Sequence, residues 1–199
     1  MESKKMAAAE IQTVEDKIDI SILDKRRIFI CGAIDDETAR EVIRRLWYLD
    51  AKASGKPITI VINSPGGSVT AGMAVWDQVQ LLTAPITTLV TGIAASMGSV
   101  LSLCASKGRR FSTPRARVMI HQPLINGVIR GQATDLEIQA REMLKTREML
   151  INLYCETTGK DEKTIAKAID RDTWMSAKEA LEYNLLDKII SNIQEVDAS

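Results

Sequence analysis

The chain has 199 residues, its 26 Lys and Arg balance 26 Asp and Glu, and 45% of it is apolar. A domain of this size buries about 70% of the surface its extended chain exposes, so it can build a core without disulfides, metal or cofactor; disorder and collagen-like structure are excluded. Zero net charge and the lack of a Lys/Arg-rich run argue against electrostatic binding to nucleic acid or acidic membrane, which needs a basic excess.

Residues 1–15 are expected to be a loosely held segment, and 16–199 one domain. The start, with Lys4, Lys5 and three alanines, lacks the apolar run of a signal peptide. Cys31, Cys104 and Cys155 are widely spaced and odd in number, which suits a reducing, cytoplasmic setting. With His121 the lone histidine, no metal site is expected.

Leu23 to Ala33 reads as a short apolar strand ending at Gly32. Asp35 and Asp36 then open a helix with Ala39, Val42, Ile43, Leu46 and Leu49 on one face, and Gly55-Lys56-Pro57 ends it. Ile58 to Ile62 is continuously apolar, as in a central parallel strand, and Asn63-Ser64-Pro65-Gly66-Gly67 predicts a turn. Ala71 to Leu82 is helical by period, Ile86 to Thr91 is a strand, Gly92 turns the chain, and Ser96 to Ser106 is a second helix built of small residues. Gln78 to Ser106 carries no charge, but Pro85, Gly92 and the scattered Ser and Thr predict a buried strand, turn and helix rather than a membrane span. This strand–helix alternation implies an α/β fold with right-handed crossovers.

A strand at Ala116 to Ile120 leads to His121. Thr134-Asp135-Leu136-Glu137 predicts a capping box opening a helix of roughly 24 residues, about 36 Å long, that ends at Gly159. Its apolar stripe of Ala140, Met143, Leu144, Leu150 and Tyr154 widens in the second half through Met149, Ile151, Leu153 and Cys155, which fits either a long core helix or, favoured by the excess length, a subunit contact. Ser176-Ala177-Lys178-Glu179 opens a last short helix that closes at Tyr183-Asn184-Leu185, where Asn takes the left-handed conformation.

No phosphate cradle can be read at Gly66-Gly67, so ATP binding is not expected. Ala94-Ala95-Ser96-Met97-Gly98, at a strand-to-helix junction, has the small flanking residues of a nucleophile elbow. His121, at a strand end before Gln122-Pro123, is the imidazole available to activate that serine. Asp170 and Asp172, between two expected helices, are both candidates for the orienting carboxylate. The Gly66-Gly67 pair can turn bare backbone N–H groups toward a substrate, as an oxyanion hole requires.

Together Asn63-Ser64-Pro65-Gly66-Gly67, Ala94-Ala95-Ser96-Met97-Gly98, Met119-Ile120-His121-Gln122-Pro123, Gly131-Gln132-Ala133-Thr134-Asp135 and Asp170-Arg171-Asp172 with Ser176-Ala177 resemble the ClpP serine peptidases, over about Phe29 to Ile190. The resemblance implies a crotonase-like spiral of β-β-α units with a protruding long handle helix, the handle region covering about 124–158. It implies a catalytic set of Ser96, His121 and Asp172, the last chosen over Asp170, with the Gly67 and Met97 amides as oxyanion hole. It further implies a cofactor-free serine endopeptidase that degrades unfolded polypeptides inside two stacked seven-membered rings fed by an AAA+ unfoldase hexamer. Peptide would lie extended beside Leu124, Ile125, Asn126 and Gly127, and Arg171 would pair with acidic groups across rings. The segment Leu124 to Arg130 is two residues longer than the family pattern and has Asn126 where a Gly is usual, and the stretch before Asp24 lacks the family's apolar opening. A homomeric ring and a ring mixed with a ClpP paralog both stay open. Two other readings stand beside the peptidase: a non-catalytic ring subunit regulating an active paralog, and a crotonase-type acyl-CoA enzyme.

Overall fold

The computed structural model describes residues 13–125, 127 and 130–197. The chain runs α1 (Val14–Asp24), β1 (Arg27–Ile34), α2 (Asp36–Lys52), β2 (Ile58–Gly67), α3 (Val69–Leu81), β3 (Ile86–Ala95), α4 (Met97–Ser102), β4 (Arg110–Ser112), β5 (Arg117–Ile120), α5 (Ala133–Thr158), α6 (Glu162–Ala168), β6 (Thr173–Ser176), α7 (Ala177–Glu182), β7 (Lys188–Ile189) and α8 (Gln194–Asp197). The expected mixed α/β architecture is present. β1, β2, β3, β4 and β7 form a parallel sheet in that order. The upper end of β3 leaves β4 and pairs instead with β5, and β5 pairs antiparallel with β6. That branch carries the chain from the sheet to the residues of the site.

Burial explains the elements. The Ile58–Ile62 run is almost fully enclosed, as a strand covered on both faces must be. α2 buries Ala39, Val42, Leu46 and Leu49, and its N-cap Asp35 accepts a hydrogen bond from the Thr38 N–H at 2.8 Å. Each of the larger aliphatic side chains contributes about 1.5–3 kcal/mol by leaving water. α2 packs on β1 and α3, while α4 packs on β2 and β3, so the helices share one main core with the sheet. A small second cluster of Leu89, Phe111, Ile190 and Val196 lies apart from it.

Several expected boundaries shift for identifiable reasons. The stretch Asn63 to Gly67 is not a turn but the end of β2: Ala33 pairs with Gly66 and Ile34 with Gly67 across a bulge. Ser64, fully buried, makes this possible, because its Oγ donates to the Gly32 carbonyl at 2.6 Å and accepts from the Gly66 N–H at 3.1 Å. Likewise β3 continues past Gly92, whose positive φ of 74° bends the strand without ending it. The helix expected over Ser96 to Ser106 is shorter and begins at Met97. β4 has no counterpart in the sequence reading. Of the segment expected to be loosely held, residues 1–12 lie outside the described residues; Thr13 caps α1, its Oγ1 accepting from the Asp16 N–H while the Asp16 carboxylate accepts from the Thr13 N–H.

α5 spans 26 residues and ends at Gly159 in the left-handed conformation. Its cap is Gln132, not Thr134: the Gln132 N–H donates to Asp135 Oδ2 at 3.3 Å, and Glu137 is paired with Arg141 instead. The helix changes character midway. Leu136 and Ile138, outside the expected stripe, and Leu144 and Met149 within it are exposed, whereas Leu150, Ile151, Leu153 and Tyr154 are buried. The expected stripe is therefore split between an exposed half and a docked half. Asn184 adopts the left-handed conformation, and α7 opens on the Ser176–Glu179 capping box, both as the sequence predicts.

Candidate active site

Ser96 stands between the end of β3 and the first turn of α4, with φ 54° and ψ −124°. This conformation is costly for a residue with a Cβ, and it persists because the neighbours over-determine it. The Ser96 N–H donates to the Met119 carbonyl at 2.9 Å, and its carbonyl accepts from the Ser99 and Val100 N–H groups and the Ser99 hydroxyl. Ser99, fully buried, also meets the Tyr154 hydroxyl at 2.9 Å, joining the docked half of α5 to the elbow. Burial pushes the Tyr154 phenol well above its ordinary pKa, so it stays neutral and serves as a hydrogen-bonding group.

Glycines let the surrounding backbone close in. A Cβ on Gly98 would sit 2.9 Å from the Ser64 carbonyl oxygen, and one on Gly72 would strike the Met97 side chain. Met97 is thereby buried against α3, which fixes its backbone at the start of α4. Gly66 lies against Ser96 and the Met97 nitrogen, while Gly67 lies against the Ile34 backbone.

His121 leaves β5 with its ring between two partners. Nε2 lies 2.8 Å from Ser96 Oγ, and Nδ1 lies 3.0 Å from Asp172 Oδ1. The imidazole is mostly enclosed, at 13% exposure, whereas the Asp172 side chain is 59% exposed. A carboxylate can only accept, so Nδ1 carries the proton and Nε2 presents its lone pair to the serine hydroxyl. Asp170, the other carboxylate candidate, has its Oδ1 3.5 Å from Gln122 Nε2 and its Oδ2 3.8 Å from Arg171 Nη1, and its carbonyl accepts from Gln122 Nε2 at 3.0 Å. Both aspartates precede β6 and follow α6, rather than lying between two helices.

The expected substrate segment is only partly described. Leu124 and Ile125 are exposed, at 54% and 42%, and Gly127 is exposed with φ 107°, while Asn126 lies outside the described residues. Arg171 is 86% exposed. All three cysteines are free. Among the described residues no group of three or more His, Cys, Asp or Glu could hold a metal ion, and no helix is long and apolar enough to cross a membrane.

Three supporting residues were not singled out from sequence: Gly66 as the glycine touching Ser96, Tyr154 as a support of the elbow, and Arg147, whose Nε donates to Gln122 Oε1 at 3.1 Å. The Gly-Gly pair was a usable signal for the first; the other two are long-range contacts without a local signature.

The family model for Clp protease matches residues 10–193. The chain belongs to the Clp protease family. Its relatives include the ATP-dependent Clp protease proteolytic subunit 1 of Protochlamydia amoebophila (strain UWE25), 63% identical over 92% of this chain and 89% of the relative. Proteins of the same name from Chlamydia muridarum (strain MoPn / Nigg) and Chlamydia caviae (strain ATCC VR-813 / DSM 19441 / 03DC25 / GPIC) are 57% and 54% identical, over 92% and 96% of this chain and 95% and 100% of the relatives. The Clp protease assignment makes the chain a serine peptidase, and it lends no support to the acyl-CoA enzyme or the non-catalytic subunit.

Proposed function

We propose that this Clp-family chain hydrolyses peptide bonds through an acyl-enzyme on Ser96, with His121 as general base and then acid and Asp172 as the group that orients the imidazole. The observation that carries the reading is the ring of His121 held at 2.8 Å from Ser96 Oγ and 3.0 Å from Asp172 Oδ1.

As Oγ attacks the scissile carbonyl, His121 Nε2 takes its proton, and Asp172 stabilises the imidazolium that forms. The Gly67 and Met97 amides receive the oxyanion, an interaction stronger in the transition state than with the ground-state carbonyl. His121 then protonates the leaving amine, which departs with the C-terminal part of the peptide. Water, deprotonated by the same nitrogen, releases the acyl group and restores the serine.

Exposed Leu124, Ile125 and Gly127 support this segment as the edge along which an extended peptide pairs through its main chain, so side-chain preference is weak; Asn126, the fourth residue of the expected segment, lies outside the described residues. A peptidase of low selectivity is safe in the cytoplasm only when enclosed. The exposed apolar residues Leu136, Ile138 and Leu144 on projecting α5 support burial against other subunits in a double heptameric ring. The relatives' name, ATP-dependent Clp protease proteolytic subunit 1, supports an AAA+ unfoldase hexamer as the partner that delivers unfolded chains, and the ring is either homomeric or shared with a ClpP paralog. Residues 16–199 act as one peptidase domain in this reading.

Ser96→Ala tests it. Loss of peptide cleavage with an unchanged native mass is the expected result, and retained cleavage rejects the assignment. Native mass of the purified chain, alone and mixed with a paralog, distinguishes homomeric from mixed rings.

A further inference from the structure

Gln122 follows the histidine directly and makes four hydrogen bonds that the reaction itself does not use, the longest from its side-chain Nε2 to Asp170 Oδ1 at 3.5 Å. Its backbone N–H donates to the Ile169 carbonyl at 2.6 Å. Its side-chain Nε2 donates to the Asp170 carbonyl at 3.0 Å, and its Oε1 accepts from Arg147 Nε at 3.1 Å. Ile169 is fully buried at the end of α6, and Thr173 pairs with Ile120 and donates its hydroxyl to the Ala168 carbonyl at 2.6 Å, so the turn that carries Asp172 is anchored at both ends. Between Ile169 and β6 the turn is exposed, and Asp172 itself is more than half exposed.

Between these anchors the Asp170-Arg171-Asp172 stretch is exposed, and a carboxylate there needs a further hold to stay in register with an enclosed imidazole. Gln122 is placed to supply it, because it moves with His121 and grips the turn two residues before Asp172. An amide can turn end for end, and only one orientation offers Nε2 to the Asp170 carbonyl. Arg147 selects that orientation, since a guanidinium donates only and therefore requires the Gln122 oxygen. Arg147 lies on α5 where the exposed half of that helix gives way to the buried half.

We propose that Gln122 is a positioning residue that holds the Asp172 turn against His121, and that Arg147 orients its amide, so that the seating of α5 is transmitted to the catalytic carboxylate. The proposal rests on the Ser96–His121–Asp172 reading of the site. Gln122 touches neither substrate nor reacting atoms; it acts through Asp172 alone, and this gives it a distinctive kinetic signature.

The test is a double-mutant cycle on the assembled protein, with kcat and KM measured on a fluorogenic peptide and native mass checked for each variant. Gln122→Leu is expected to lower kcat about tenfold, the worth of one well-placed hydrogen bond, with KM changed less than about twofold. In an Asp172→Ala background the same substitution should cost nothing further, because residues acting as one unit are not additive. Arg147→Lys, which retains a donor, should lose less than Arg147→Leu. An unchanged kcat in Gln122→Leu, or a loss that adds in full to that of Asp172→Ala, overturns the proposal. If Gln122→Leu does not assemble, Gln122→Glu takes its place: it keeps the partner of Arg147 but cannot donate to the Asp170 carbonyl when ionised, so the same kcat fall supports the proposal and wild-type kcat overturns it. A Ser96→Ala protein that still cleaves peptide would instead remove the underlying triad, an outcome read separately from the cycle.

Discussion

Gly66 stands directly against Ser96: a Cβ built on the glycine would fall 2.6 Å from the Cβ of the serine and 2.9 Å from the Met97 nitrogen. The end of β2 and the turn into α4 are thus in closer contact than any residue with a side chain permits. Gly66 also has φ 96°, a conformation that L side chains rarely adopt. The closeness brings the glycine end of β2 against the serine and the Met97 nitrogen, which supports the proposed oxyanion hole.

Gly66→Ala should therefore impair catalysis by separating β2 from the elbow. A loss of kcat of at least about 100-fold, the usual cost of a spoiled oxyanion donor, is expected in protein that retains its circular dichroism spectrum. Gly32→Ala is the comparison: no atom lies within 4 Å of a Cβ there, so it carries the strain of a positive φ without the clash at the serine, and activity should fall far less.

Tyr154 links α5 to the elbow through Ser99. Removing the hydroxyl in Tyr154→Phe leaves Ser99 bonded to the Ser96 carbonyl, and chemical denaturation should show a loss of about 1 kcal/mol. Tyr154→Ala empties a fully enclosed site and should cost about 3–5 kcal/mol.

Acid should destabilise the chain through carboxylates that the fold holds ionised. Hydrogen bonds from Thr38 hold Asp35 below the ordinary range, those from Thr164 do the same for Asp161, and those from Ser176 for Glu179. For Asp187, burial opposes ionisation, but the side chain and backbone of Arg110 outweigh it and lower the pKa. In each case the folded value is depressed, so the stabilisation is present above the unfolded pKa of about 4 and is lost as pH falls through the folded value. Thermal melting between pH 7 and pH 2 should show Tm falling from about pH 4 downward. Asp187→Asn, which leaves the enclosed Arg110 without its counter-charge, should cost about 3 kcal/mol at pH 7 and flatten that acid limb.

The cysteines should react unequally. Burial pushes the Cys104 thiol up to about 12, whereas Cys31 is exposed on β1. Brief iodoacetamide treatment at neutral pH should modify Cys31 and spare Cys104 until the chain is unfolded, as peptide mass mapping would report.

Most of this arrangement was legible in the sequence, because its signals were local. The elbow serine has small neighbours on both sides, and the lone histidine stands at a strand end, so Ser96 and His121 could be named without coordinates. Only family likeness chooses Asp172 over Asp170 in the sequence, since both lie on one short turn; in the geometry His121 Nδ1 meets Asp172 Oδ1, whereas the Asp170 carboxylate lies by Gln122 Nε2 and Arg171 Nη1. Where the reading of elements failed, tertiary contacts had overridden local preference. Pro65, Gly66 and Gly67 suggest a turn, yet the buried Ser64 hydroxyl bridges the bulge and keeps the segment in the sheet. β4 has three residues, too few for a pattern of its own, and exists because β3 and β7 flank it. Thr134 and Glu137 have the composition of a capping box, but Gln132 and Asp135 form the cap, so α5 starts two residues earlier than the sequence predicts.

The central claim is that Ser96 is a nucleophile because His121 holds its proton acceptor against it. Labelling with a fluorophosphonate, followed by mass mapping of the adduct and measurement of its rate, tests this most directly. A single adduct on Ser96 is predicted, formed at least about 1000-fold more slowly in assembled His121→Ala protein. An adduct on a different residue, or a rate indifferent to the loss of the imidazole, would contradict it.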